Sequence, residues 1–202
     1  MTTPTPPPLQ ATDEMTASGY PATAVEGFPA DSVIYALENL YGDDPPHVVL
    51  SGINAGQNVG NVAGGIISQI SGTVGAAKTA ACLGVPALAS SQGEGETLDF
   101  PSGLDAVLTW LESNRAALLA GSVPLDDITS VNIPSCDGKG EIRGSIEVPL
   151  ATTAESEENF PNGPQDCEST LEDPTDDVQA FFNGFIAITP VPRNSNNTCG
   201  KL

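Results

Sequence analysis

The chain has 202 residues, 39% of them hydrophobic, and sets 26 acidic against six basic side chains, a formal charge of −20. That length can bury one domain-sized core and does not demand a second. The charge leaves no basic footprint for a nucleic-acid polymer and opposes docking on an anionic membrane, and no apolar run reaches bilayer length, so a soluble protein is expected.

The first nineteen residues are rich in Pro and Thr and lack a helical period, so they are expected to form an extended arm. A short extended run from Tyr20 to Glu26 leads to Gly27-Phe28-Pro29, where Asp31 or Ser32 can cap a helix carrying Val33, Ile34, Leu37 and Leu40. His47 to Leu50 has the β-branched, wholly apolar character of a strand buried on both faces. A loop dense in Gly and Asn follows. Gly72 to Leu83 reads as a helix of small residues, stopped by Gly84 and followed by Pro86. Pro86 to Ser90 is a second buried strand, and Leu104 to Leu119 an amphipathic helix with Leu104, Val107, Leu108, Leu111 and Leu118 on one side. Ile128 to Asn132 returns to strand.

This alternation predicts an α/β fold with a doubly wound sheet over residues 20–134. Residues 135–202 form a C-terminal β extension in this reading. Glu141 to Val148 alternates, and Val178 to Phe182 with Phe185 to Thr189 flank Asn183-Gly184, a hairpin signal. Residues 151–176 are acidic and rich in turn formers, and are expected as a surface loop.

Cys82 sits in an apolar stretch and reads as a buried thiol, whereas Cys136, Cys167 and Cys199 lie among polar residues as possible disulfide partners. Cys136 with Cys167, which flank the acidic loop, is preferred to a pairing with Cys199. Four unpaired cysteines in a cytoplasmic protein is the alternative. Met1 to Pro8 lacks the basic and apolar regions of a signal peptide, so an exported protein would carry its signal upstream.

The stretch that bears on chemistry is Ser51-Gly52-Ile53-Asn54-Ala55-Gly56-Gln57-Asn58-Val59-Gly60, followed by Ser71-Gly72-Thr73-Val74-Gly75-Ala76-Ala77. It lies between a buried strand and a helix, at the carboxyl end of a strand, where open α/β sheets bind ligands. Ser51, Gly52 and Gly56 shape the loop. Asn54 offers an amide oxygen to a hard metal ion, and Ser71 and Thr73 bring hydroxyls to a helix N-terminus able to hold an anion. Lys78 is the nearby cation and reads as a surface residue. The chain's one histidine, His47, at a strand start, argues against Ser-His-Asp and multi-histidine zinc chemistry.

These two motifs resemble the paired signatures of SurE-type (survival protein E) 5'-nucleotidases and acid phosphatases. Gly27 to Val33, Val85 to Ala89 and Asp176 to Thr189 resemble other segments of that family. The resemblance implies a Rossmann-like sheet, a C-terminal hairpin extension used in forming homodimers or homotetramers, and hydrolysis of phosphate monoesters, typically nucleoside 5'-monophosphates, with Mg2+ or Mn2+. By position, Asn54 would be a metal ligand, and Ser71, Gly72 and Thr73 would contact phosphate. The family's first strand and helix, with an Asp-Asp-Gly motif that binds the metal, have no counterpart here. Asp43-Asp44 precedes the strand, at the opposite end from Asn54, and does not replace it. The chain alone is therefore expected to be weak or inactive, and a non-catalytic anion-binding or assembly protein is the alternative.

Overall fold

The computed structural model describes residues 8–60, 71–151, 165–195 and 198–201. A five-stranded mixed sheet forms its centre, in the order β3-β4-β5-β7-β6: β3 Val49–Ala55, β4 Ala87–Gln92, β5 Asp127–Ile133, β6 Ser145–Glu147 and β7 Ile186–Pro192. β3, β4 and β5 are parallel, β7 runs antiparallel to β5, and β6 pairs in parallel with β7. Helices cover both faces, as expected of a doubly wound sheet. β4 shows how the sequence brings this about. Ala87 and Ala89 pack with Val74, Ala77, Ala80 and Ala81 of helix α2 (Gly72–Cys82) on one face. Leu88, between them, packs with Val107 of helix α3 (Phe100–Leu119) on the other. A period of two on a strand divides the residues this way, so both faces must be apolar. The alanines of α2 let its backbone lie close to the sheet.

Helix α1 (Pro29–Tyr35) starts earlier than the capping signals suggest. Pro29 opens it, where a missing N–H costs nothing, and the Asp31 carboxylate reaches back to accept from Phe28 N–H at 2.7 Å. It continues as a π-helical turn, Ala36–Tyr41, leaving Leu40 and Tyr41 exposed. On α3, Val107 and Leu118 are buried, and Trp110 and Leu111 pack against the core. Leu104 and Leu108 face outward, each 52% exposed, so only half of the expected apolar stripe meets the sheet.

Three local expectations are refined or overturned. The arm holds a strand: β1 (Ala11–Met15) pairs antiparallel with β2 (Pro21–Val25) as a separate two-stranded sheet. The Asn183-Gly184 hairpin does not form. Val178 to Phe182 lies in helix α4 (Asp177–Phe182), which Asp176 caps by accepting from Gln179 N–H at 2.9 Å. Gly184 then takes φ +84 and turns the chain out of the helix into β7, the role of a glycine just past a helix end. Of the alternating run from Glu141 to Val148, only Ser145–Glu147 is strand.

Cys82 is not a free thiol. It is bonded to Cys199, while Cys136 is bonded to Cys167, the pairing expected from the sequence. The acidic loop lies largely outside the described residues, as does the connection 61–70. Among the described residues no helix is long and apolar enough to cross a membrane.

Candidate functional site

β3 does not end before the first motif but runs through it to Ala55. Its register with β4 is interrupted between Ser51 and Asn54, where Gly52 adopts φ +120 and the Gly52–Ile53 peptide is cis. A side chain at Gly52 would run into the carbonyl oxygen of Ser90 on β4, so close approach and positive φ both require glycine. The interruption re-aims the end of the strand. Asn54, half-buried, donates from Nδ2 to the Gly56 carbonyl at 2.7 Å, and Gly56 N–H bonds back to Gln92 O at 2.8 Å. The amide oxygen of Asn54 is left as the group free to meet a ligand.

Beyond Gly56 the chain is tied to the carboxyl ends of β4 and β5. Asn58 N–H donates to Asn132 Oδ1 at 2.7 Å, Asn58 Nδ2 donates to Ser91 Oγ at 2.7 Å, and Asn132 Nδ2 returns to Asn58 O at 3.2 Å. Glu94 N–H donates to Gln57 Oε1 at 3.1 Å. Gln165, two residues from Cys167, accepts from Ser135 N–H at 2.8 Å and donates to Glu94 O at 2.8 Å. Asn58 belongs to the Ser51 to Gly60 stretch, whereas nothing in the sequence motifs points to Asn132 or Gln165. Asn132 had left a trace, since a polar residue inside an apolar strand is buried only where partners await it.

A further missed residue is Asp177. Its carboxylate, 1% exposed, accepts from Gly60 N–H at 2.7 Å and Ala151 N–H at 2.8 Å. It thereby fixes the chain just where it leaves the site loop. Burial raises its pKa, against the lowering effect of these backbone donors.

Ser71 occupies the N-cap of α2, its Oγ accepting from Val74 N–H at 3.1 Å. The hydroxyl is thus engaged in capping. The N–H groups of Gly72 and Thr73 and the Thr73 hydroxyl lie in the first turn, with the dipole of an 11-residue helix behind them. Gly72 lies against Pro29 of α1, and an added Cβ would sit 2.8 Å from the proline ring. Ser51 and Gly52 open on a cleft of about 360 Å³ bounded by Pro29 and Ala76. Neither Asn54 nor Ser71 to Thr73 lines that cleft.

Lys78 is not a surface residue. It is fully buried on α2, and its Nζ donates to Ser195 Oγ at 2.5 Å. Burial lowers its pKa from 10.5 to about 8. Lys78 is therefore not directed to the head of α2.

The donor set does not make a metal site by itself. Among the described residues no group of three or more His, Cys, Asp or Glu could hold an ion, and Asn54 contributes one neutral oxygen. Glu94 is the carboxylate near Asn54: a Cβ placed on Gly56 would stand 3.4 Å from its Oε1 and 3.9 Å from Asn54 Nδ2. One amide and one exposed carboxylate fall short of the six oxygen ligands that Mg2+ requires.

Fold and site together define an α/β protein whose ligand edge is a glycine-interrupted strand end followed by a capped helix entrance. The family model for survival protein SurE matches residues 2–157, and the chain belongs to that family. It is 34% identical over 195 residues to a 5'-nucleotidase SurE of Desulfatibacillum aliphaticivorans, covering 91% of this chain and 72% of the relative. It is 33% identical over 200 residues to a 5'-nucleotidase SurE of Methanopyrus kandleri, covering 89% and 70%. With a 5'-nucleotidase SurE of Azorhizobium caulinodans the match is 38% over 112 residues, and the chain spans 42% of that relative's length. The crystal structure of the SurE protein from Aquifex aeolicus superposes with a TM-score of 0.63 at 23% identity, covering 91% of this chain and 74% of the other, which establishes the shared fold.

Proposed function

We propose that the chain is part of a metal-dependent phosphomonoesterase acting on nucleoside 5'-monophosphates, and that these 202 residues supply its anion-binding half. The observation that carries this reading is the head of α2, where a Ser71 cap leaves the Gly72 and Thr73 amides to receive a phosphate. The 5'-nucleotidase names of the relatives supply the substrate class. Asn54 would give one neutral ligand to Mg2+ or Mn2+, and the ion would supply charge compensation for the phosphate. The carboxylates such an ion needs are not gathered among the described residues.

Three further properties belong to the same proposal. Two disulfides support an oxidising, extracytoplasmic compartment. Among the described residues β3 pairs on one side only, and an open sheet edge of that kind supports association into a homodimer or homotetramer. The acidic charge supports a small phosphate ester over a nucleic-acid polymer as the ligand.

The test is an assay of the 202-residue chain with p-nitrophenyl phosphate and AMP in Mg2+ or Mn2+. The expected result is no metal-stimulated hydrolysis, because a single amide oxygen cannot hold the ion or activate its water. Robust turnover abolished by Asn54→Ala would overturn the half-site reading. Turnover gained by a chain extended upstream through an Asp-Asp-Gly strand would establish the enzyme. Failure to gain it would favour a non-catalytic anion-binding or assembly protein.

A further inference from the structure

The last described residues of the chain are fastened along the second half of α2 by contacts of three different kinds. Arg193 Nη1 donates to Ala81 O at 3.0 Å, Lys78 Nζ donates to Ser195 Oγ at 2.5 Å, and Cys199 is bonded to Cys82. The tail also closes on itself: Thr198 Oγ1 donates to Ser195 O at 2.9 Å, and Cys199 N–H donates to Asn194 Oδ1 at 3.1 Å. Thr198 is buried under this turn, and Lys78 is sealed completely. A lysine that loses its hydration shell for one hydroxyl is unfavourable, so the surroundings must hold the tail down over it. The covalent bond is the strongest of those holds.

The two disulfides differ in access. Cys136 and Cys167 are 7% and 5% exposed, whereas Cys82 and Cys199 are both partly exposed. Thiolate attack on a disulfide depends on reaching a sulfur, so the bond on the tail is the one a small dithiol meets first.

We infer that the tail segment carrying Arg193, Ser195 and Cys199 is a redox-sensitive latch: reduction of Cys82–Cys199 by a dithiol releases these residues from α2 and uncovers Lys78. One thiolate of the reductant attacks a sulfur of the bond, the S–S bond breaks, and a mixed disulfide forms. The reductant's second thiol then closes its own disulfide. Two electrons and two protons pass to Cys82 and Cys199, which leave as thiols. Arg193 and Ser195 then hold the tail by hydrogen bonds alone, and the ammonium form of Lys78 gains by returning to water. The latch is closed in an oxidising compartment and opens in a reducing one. It is independent of whether the chain hydrolyses phosphate esters.

The experiment treats the folded, oxidised chain with dithiothreitol for increasing times. Thiols are then trapped with N-ethylmaleimide, lysines are pulse-acetylated with an N-hydroxysuccinimide ester, and both are mapped by mass spectrometry. Cys82 and Cys199 should be trapped before Cys136 and Cys167. As a local opening reads in exchange and labelling, Lys78 acetylation should rise about tenfold at that stage, with exposed Lys139 unchanged and far-UV circular dichroism retained. Lys78 remaining protected after Cys82 and Cys199 are trapped would overturn the inference. So would trapping of all four cysteines together with loss of the dichroism signal, which would mean global unfolding. Cys199→Ser, made without any reductant, should label at Lys78 like the reduced protein; protection in a folded variant equal to that of the oxidised chain would also sink the latch.

Discussion

The two ends of α2 are built from the same kind of small residue yet serve opposite purposes. At its head, Ser71 caps the helix and Gly72 and Thr73 are half-exposed. Toward its foot, Lys78 is buried and Cys82 is covalently bonded to the chain's end. The difference teaches where this protein places its stability and where it keeps polar groups for a ligand. Helix dipole and backbone donors suffice to receive an anion. At the foot a cross-link holds the tail down over an amine whose burial is itself unfavourable.

The most severe way to break that contrast is to remove the cross-link. Cys82→Ser with Cys199→Ser opens a loop with a sequence separation of 117 residues. Loops of that order are worth about 4–5 kcal/mol in the chain-entropy account. Thermal unfolding should shift down by about 10–15 °C for a chain of this size. A shift within a few degrees would show that the tail adds little to the foot of the helix.

A smaller effect reports on Lys78. Its folded pKa, lowered to about 8 from 10.5, means that the unfolded chain binds more protons between those values. Stability should therefore rise with pH through that window, by at most about 3–4 kcal/mol, since each unit is worth about 1.4 kcal/mol. Urea unfolding at pH 7.5 and pH 10 measures it. In Lys78→Met, which keeps the volume and loses the amine, this rise should vanish. An equal rise in both proteins would place the titration elsewhere.

The smallest effect belongs to the head. Ser71→Ala removes the acceptor for Val74 N–H and should cost about 1 kcal/mol in urea unfolding. Phosphate affinity should change little, because the hydroxyl is spent on the cap and the amides remain. Loss of phosphate binding in a fully folded Ser71→Ala chain would show that the hydroxyl, not the backbone, contacts the anion.

Much of this was legible in the residues because it depends on local pattern. Alternating apolar strands and capped helices gave the doubly wound sheet, and two short motifs in order gave the family. Asn183-Gly184 shows where local pattern misleads. The pair suits a hairpin, but Asp176 caps a helix just before it, and Gly184 ends that helix instead. Lys78 shows the same limit for charge. A lysine in a helix is solvated by default, and only a tail 117 residues further along the chain could cover it.

The sequence by itself determined the class of fold and the Ser71 cap of α2, because caps, periodicities and motif spacings act over a few residues. Only the tertiary structure decided that Cys82 pairs with Cys199, that Asn58 and Asn132 join across the sheet, and that Asp177 secures Gly60. Each of those joins residues dozens to more than a hundred positions apart, and what brings them together is the packing of the whole sheet rather than any preference of the segments that hold them.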